Sequence, residues 1–323
     1  MSSLYNFVKG WSVVVFDPVI QLLHDKFSSA MHVEPVSMHG KTVLITGGHS
    51  GIGYETSRMI AEMEANVIIA YHKGRDEVAK RVVQELQERT GNKQIEAWPV
   101  EMASLQSVRE LAERFLATNK PLDVLINNIG GTSSSKIISE DGYEYTFQIN
   151  YLSLFLLTEL LRPALVKASA PRVVNVASVV HYIGHVNFKN FNSDWFYHPL
   201  IAYGNAKLMC MLYTMELSKR LQRENPNAVV HALHPGVVKT NIWKKDYPMI
   251  VRVLIFFYLG LAFRNLVQGA MTTVHVAVSE EAGSCTGKFW ESCRLTKPSA
   301  RACDEKLAAE LWERTEHMLG LDR

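Results

Sequence analysis

Tyr203 and Lys207 stand four places apart in the stretch IAYGNAKLMC, residues 201–210, inside a run otherwise apolar enough to be buried helix. At a spacing of i, i+4 a phenol and an ammonium share one side of a helix. A free tyrosine, with a pKa of about 10, is a poor base at neutral pH. A neighbouring cation favours the phenolate and draws that value down. Such a pair can pass a proton to and from an oxygen atom, provided that other polar groups converge on the same place. Standing alone, the two residues would be no more than decoration of a core helix.

The elements that must position them alternate in type. The runs TVLIT (42–46), NVIIAY (66–71), IEAWPV (95–100), LDVLIN (122–127), RVVNVA (172–177) and AVVHAL (228–233) are short, apolar and bounded by polar or turn residues. That pattern suits strands of a parallel sheet covered on both faces. Amphipathic stretches lie between them, such as 76–91, which ends on a glycine in the C-cap position. Strand and helix in alternation, joined by right-handed crossovers, predict an α/β fold with an open, doubly wound parallel sheet. No internal repeat or linker divides the chain. One domain is expected over 40–323, with an amino-terminal extension at 1–39 and a carboxy-terminal cap of helices after Pro235.

Glycines at 47, 51 and 53 follow the first strand directly and lead into a helix. Glycine lets the backbone turn sharply and approach a pyrophosphate, and the helix amino terminus offers free N–H groups and a positive dipole. With the strand before and the helix after, the loop predicts a dinucleotide site. NAD-specific sites place an acid at the end of the second strand to hold the ribose 2′-hydroxyl. Here Tyr71, His72, Lys73 and Arg75 stand there instead. Cationic side chains attract a 2′-phosphate, so NADP(H) is favoured over NAD(H).

In an open sheet ligands bind at the carboxyl ends of the strands, where Asn127 and Ser178 are expected. Asn150 lies on the helix between the strands that carry them, and the first turn of the helix near Ala202 faces the same crevice. Ser178, Tyr203, Lys207 and Asn150 can therefore gather beside a nicotinamide. The serine hydroxyl would hold the reacting oxygen, the tyrosine would move its proton, and the cofactor would carry the hydride.

These residues resemble the short-chain dehydrogenase/reductase family. The family's TGxxxGxG loop is matched by Thr46 to Gly53, its NNAG stretch by Asn127-Asn128-Ile129-Gly130, and its tetrad by Asn150, Ser178, Tyr203 and Lys207. The likeness runs from Gly40 almost to the end. It implies a Rossmann fold, with the tyrosine as acid/base and the lysine also on the nicotinamide ribose. The serine would orient the substrate oxygen, and the asparagine would support a water-linked proton relay. It further implies cofactor contacts from Gly47, Ser50, Gly51, Ile52 and Gly53 in the loop and from His72 and Lys73 after the second strand. Glu101 and Met102 would lie near the adenine, and Asn127, Tyr203 and Lys207 further along. Pro235, Val238 and Thr240, in HPGVVKT (234–240), would lie at the carboxamide. The long gap between Ser178 and Tyr203, together with FQINYLSLFLLTELL and the carboxy-terminal SCRLTKPSARACDEKLAAELWERTEHMLGL, is similar to the retinol-dehydrogenase branch. The catalytic domain of the WW-domain oxidoreductase belongs to that branch. The chain departs from the family pattern at Ile129, Ala177, Glu101 and His72, none of which removes a group the chemistry requires.

Composition bounds the partners. A net charge of +2 and no basic stripe interleaved with aromatics exclude a nucleic-acid reader. Four cysteines without metal-finger spacing suit reduced thiols facing a cytosol. The scattered His181, His185, His231 and His234 are structural, and no metal is expected. The apolar stretches at 11–23 and 253–263 fall short of the ~18 residues of a spanning helix, and the amino end does not resemble a secretory signal. They leave surface attachment to a membrane open. The stretch Met249–Phe263, just after the nicotinamide loop, is expected to wall a greasy substrate pocket. The resulting expectation is oxidation and reduction of a lipophilic alcohol–carbonyl pair such as a retinoid, polyprenol or sterol, with pairing into a homodimer implied by the family. A catalytically weak NADP(H)-binding regulatory or scaffold protein is the alternative, supported by Ile129 and the extension and opposed by the intact tetrad.

Overall fold

The computed structural model describes residues 9–14, 21, 31–238 and 264–321. Thr240 and the stretch Met249–Phe263 lie outside the described residues, as do parts of the amino-terminal extension. The six runs read as strands form β1 (Thr42–Thr46), β2 (Asn66–His72), β3 (Ile95–Val100), β4 (Val124–Asn127), β5 (Arg172–Val176) and β6 (Val229–His234). Helices α1 (Gly51–Glu62), α2 (Asp76–Thr90), α3 (Leu105–Ala117), α4 (Tyr145–Lys167) and α5 (Pro199–Glu224) connect them. Gly91 ends α2 in the left-handed region at φ 74°, as its place in the sequence predicts.

The carboxy-terminal region supplies helices, as expected, and also extends the sheet. After α6 (Leu266–Val278) and α7 (Glu280–Gly283), β7 (Lys288–Glu291) pairs parallel with β6, and β8 (Arg294–Thr296) turns back antiparallel. These two strands are too short for an alternating pattern to mark them in the sequence. The last helix, α8 (Glu305–Leu319), returns to pack on α5. The strand order is β3-β2-β1-β4-β5-β6-β7-β8, so the chain reverses direction across the sheet between β1 and β4. A crevice opens at such a reversal, outside the carboxyl ends of the strands.

Successive residues of a strand point to opposite faces. Val43 and Ile45 of β1 enter the core shared with α1, α2 and α6, while Leu44 enters the one shared with α3, α4, α5 and α8. Both faces are covered, which explains why the strands read as continuous apolar runs. Tyr145–Lys167 is long and apolar enough to cross a membrane, yet 83% of its most apolar 18-residue window is buried inside the fold. Its Phe155 lies 4.9 Å from Tyr213 of α5 and 4.8 Å from Trp312 of α8, ring centre to ring centre. Trp312 also stacks on Tyr213 at 5.4 Å and is capped by the Arg220 guanidinium at 4.4 Å. Replacing a buried tryptophan with alanine typically costs about 3–5 kcal/mol. Denaturant unfolding of Trp312→Ala should show a loss of that size; a loss below about 1 kcal/mol would mean that α8 is not part of the core.

Candidate active site

The turn after β1 is built around glycine. Gly47 has φ 70°, and a Cβ there would come within 2.9 Å of the Ile129 side chain. At Gly53 a Cβ would overlap the carbonyl oxygen of Gly47. The loop therefore closes only without side chains at these two places, and Ile129 fits because Gly47 has none. Thr46 ties this turn to the one after β4, its hydroxyl accepting from the N–H groups of Asn128 at 2.9 Å and Ile129 at 3.1 Å. Asn128 answers by donating its side-chain amide to Thr46 O at 3.0 Å. At the start of α1, Ser50 makes no side-chain cap and the first turn holds no acid. Its N–H groups at Gly51, Ile52 and Gly53 and its dipole are left for an anion, and the bare backbone lets one approach.

Beyond β2, Lys73 and Arg75 are exposed. The His72 ring meets Glu101 Oε2 at 3.2 Å and the Lys73 carbonyl at 2.7 Å. Glu101 also accepts from the Ala103 N–H at 3.0 Å. Met102 is buried in the core, and its carbonyl accepts from Ser153 of α4 at 2.6 Å. His49, in the turn after β1, lies near this group, and burial, then the charges of Arg75 and His72, lower its pKa and disfavour its charged form. Sequence reasoning passed over His49 because the loop pattern is defined by its glycines.

At the ends of β4 and β5 the four tetrad residues gather as two neighbouring pairs, Asn150 with Lys207 and Tyr203 with Ser178. A Cβ on Gly130 would lie 2.9 Å from Asn150 Oδ1 and 3.1 Å from Lys207 Nζ, so both side chains close over the same bare backbone. Asn150 donates to Gly131 O and Thr146 O, each at 2.7 Å, and accepts from Gly131 N–H at 3.2 Å. It sits in Gln148–Leu152, a wider turn within α4 where the Ser153 N–H reaches back to Gln148 O. Such turns recur at functional sites because they aim a side chain out of helical register. Lys207 is 2% exposed and donates to Val176 O at 2.7 Å, with its Nζ 5.5 Å from the Tyr203 ring centre. The Ser178 side chain lies beside the Tyr203 phenol and favours its ionised form. Ser178 in turn caps the short helical turn Val179–Ile183 by accepting from Val180 N–H at 3.4 Å.

Asn127 behaves differently from the expectation. Its side chain turns away from the crevice and donates to Asn175 Oδ1 at 2.9 Å and Thr158 Oγ1 at 3.1 Å, and Asn175 continues to Thr214 at 2.9 Å. This buried ladder ties β4 and β5 to α4 and α5. Only the Asn127 backbone is left to face a ligand. The pKa of the phenol also departs from the expectation. Burial raises it, and the neighbouring Ser178 side chain offsets part of that rise. The Lys207 ammonium is itself pulled down by burial. In the protein alone Tyr203 is thus a proton donor, and the balance shifts towards phenolate only with further positive charge in the crevice.

His181 supports Ser178 from behind. Its Nδ1–H donates to Ser178 O at 2.7 Å while Nε2 accepts from Ser299 N–H at 3.1 Å, an arrangement that requires the neutral ring. Burial pushes its pKa down to about 4. A histidine that folds neutral binds its proton more readily when unfolded. Its contribution is therefore complete above pH 6.5, the unfolded value, and is lost as pH falls towards about 4. Unfolding free energies measured from pH 7 to pH 4 should drop by about 3 kcal/mol more in the native protein than in His181→Ala. Equal slopes would contradict the neutral, buried assignment.

The comparisons with known proteins agree with this geometry. Residues 41–250 match the family model described as short chain dehydrogenase. Retinol dehydrogenase 14 of Mus musculus is 36% identical over 298 residues, covering 89% of this chain and 88% of its own. Retinol dehydrogenase 12 of the same species is 36% identical over 296 residues, 91% of each. Among solved structures, a protein from Mycobacterium Paratuberculosis superposes with a TM-score of 0.70 at 29% identity, over 89% of this chain and 96% of that one. A blue fluorescent protein from a metagenomic library, solved with NADPH, shares the fold with a TM-score of 0.61 at 21% identity, over 79% and 97%. With the family model matched over residues 41–250 and relatives spanning nearly its whole length, the chain belongs to the short-chain dehydrogenases, NAD(P)-dependent oxidoreductases that act on CH–OH groups.

Proposed function

We propose that the protein interconverts a lipophilic alcohol and its carbonyl using NADP(H), with Tyr203 as the general acid/base. The observation that carries the proposal is the meeting of Asn150 and Lys207 over Gly130, with the Tyr203 ring 5.5 Å from the Lys207 Nζ and Ser178 beside the phenol. Bound NADP(H) supplies the hydride for reduction and takes it back in oxidation. The Ser178 hydroxyl holds the substrate oxygen. As that oxygen gains charge Tyr203 gives it a proton, a role suited to a phenol whose pKa burial has raised. Lys207 brings a cation to the phenol and to the ribose side of the crevice, and Asn150 holds the Gly131 backbone that floors it. Pro235–Val238, at the carboxyl end of β6, receives the nicotinamide end.

A 2′-phosphate fits the β2 end because Lys73 and Arg75 stand exposed there. A lipophilic substrate is supported by the relatives named as retinol dehydrogenases and by apolar residues at the loops around the crevice. Trp195 and Phe196 are 70% and 65% exposed, and Ile137 and Ile138 are 45% and 48% exposed. The two loops carrying them are tied together by the Lys136–Asp194 ion pair at 2.6 Å and by Tyr197 donating to Ser133 O at 2.6 Å.

Two measurements test the proposal. Against a panel of retinoid, polyprenyl and long-chain aldehydes with NADPH, Tyr203→Phe should lose at least about a hundredfold in kcat while its NADPH affinity holds. Undiminished turnover in that variant would remove Tyr203 from the mechanism. The double variant Lys73→Glu/Arg75→Glu should bind NADPH about tenfold or more weakly and NADH no less tightly, since only the 2′-phosphate meets those charges. A parallel loss of both cofactors would refute the 2′-phosphate assignment.

A further inference from the structure

The segment Pro235–Val238 is gripped from two sides. From the carboxy-terminal side, the Arg264 backbone N–H donates to Val237 O at 2.9 Å, and its buried guanidinium reaches Pro235 O at 3.4 Å and Ser292 Oγ at 2.8 Å. From the amino-terminal side comes Gln21, 3% exposed. Its Oε1 accepts from the Val237 N–H at 2.6 Å, and its Nε2 donates to Val237 O at 3.4 Å. A carboxamide offers donor and acceptor in one plane, so it meets a peptide unit as a neighbouring strand would. Gly236, at φ 86°, makes the approach possible. A Cβ there would lie 2.6 Å from the Arg264 guanidinium and 2.7 Å from Gln21 Oε1. The gripped segment connects onward to the phosphate end of the crevice, because a Cβ on Gly269 would meet Val238 at 2.7 Å and Ile52 at 3.3 Å.

The amino-terminal segment also reaches the tyrosine. Residues 9–14 are helical. Trp11, Val13 and Val14 pack with Leu200 and Tyr203 against Val179, Val180 and Ile183, the turn that Ser178 caps. Gly10 lies so close to the turn that a Cβ on it would overlap the Tyr182 carbonyl oxygen.

We infer that Gln21 is a positioning residue of the active site, and that residues 9–14 and 21 belong to the catalytic unit. The inference rests on the nicotinamide end lying against Pro235–Val238. Gln21 fixes the orientation of the Val237 peptide, and with it the place where the nicotinamide is received.

The test is the binding of two ligands to the full chain: NADPH, and 2′,5′-ADP, which has the phosphorylated adenosine end and no nicotinamide. Gln21→Leu keeps the side-chain bulk and removes both hydrogen bonds. It should weaken NADPH binding about tenfold and raise its KM alike, while 2′,5′-ADP binding stays as in the native protein. Gln21→Glu keeps the 2.6 Å acceptor bond but loses the donor to Val237 O, so its NADPH affinity should fall between those of Gln21→Leu and the native protein. Unchanged NADPH binding in Gln21→Leu, an equal loss of both ligands, or a failure of Gln21→Glu to recover affinity beyond Gln21→Leu would overturn the assignment. These affinities do not depend on turnover. A Tyr203→Phe variant that stayed active would refute the proposed chemistry and leave them standing.

Discussion

A buried ammonium has to be paired or hydrogen-bonded, because an unpaired charge in a dry interior is far too costly to keep. Lys207 meets that demand by donating to the Val176 carbonyl at the end of β5. The bond fixes how α5 sits along the sheet. Tyr203, one turn earlier on the same face of α5, is thereby set beside Ser178, two residues beyond Val176 on the strand side. The placing of Tyr203 and Lys207 beside Ser178 is a consequence of one helix–strand register. Burial works against the charged form of each group, raising the phenol and lowering the ammonium.

The floor of that crevice depends on missing side chains as much as on present ones. Gly130 leaves room for Asn150 and Lys207, Gly47 leaves room for Ile129, and Gly53 leaves room for the turn itself. The wide turn in α4 aims Asn150 at Gly131, while the helix on either side stays packed in the core. Asn127 and Asn175 hold the strands and helices behind the site in a fixed arrangement, so the residues that face a ligand are supported by polar groups that do not.

Much of this was legible in the chain because its signals are local. Six strands followed from short apolar runs between turn residues, and the glycine turn followed from its place between a strand and a helix. Ser178, Asn150, Tyr203 and Lys207 carried their own chemistry. The features that escaped depend on distant parts of the chain. β7 and β8 exist because β6 offers an edge to pair with, which no pattern within four or three residues announces. Asn127 was placed correctly at a strand end, but which face its side chain takes is decided by Asn175 and Thr158. The phenol's pKa was read from a neighbour four residues away, whereas the dominant influence is burial by the whole fold. Gln21 has no motif around it. Its meaning appears only where it meets Val237, more than two hundred residues later.

The central claim is that Tyr203 hands a proton to an oxygen held against a nicotinamide. A crystal structure of the protein with NADP⁺ and an unreactive substrate analogue addresses it most directly. The account predicts the nicotinamide in the crevice bounded by Gly130 and Val238, with the analogue's oxygen about 3 Å from both the Tyr203 and Ser178 hydroxyls. A phenol turned out of reach of that oxygen, or a cofactor seated away from the ends of β4 and β5, would contradict it.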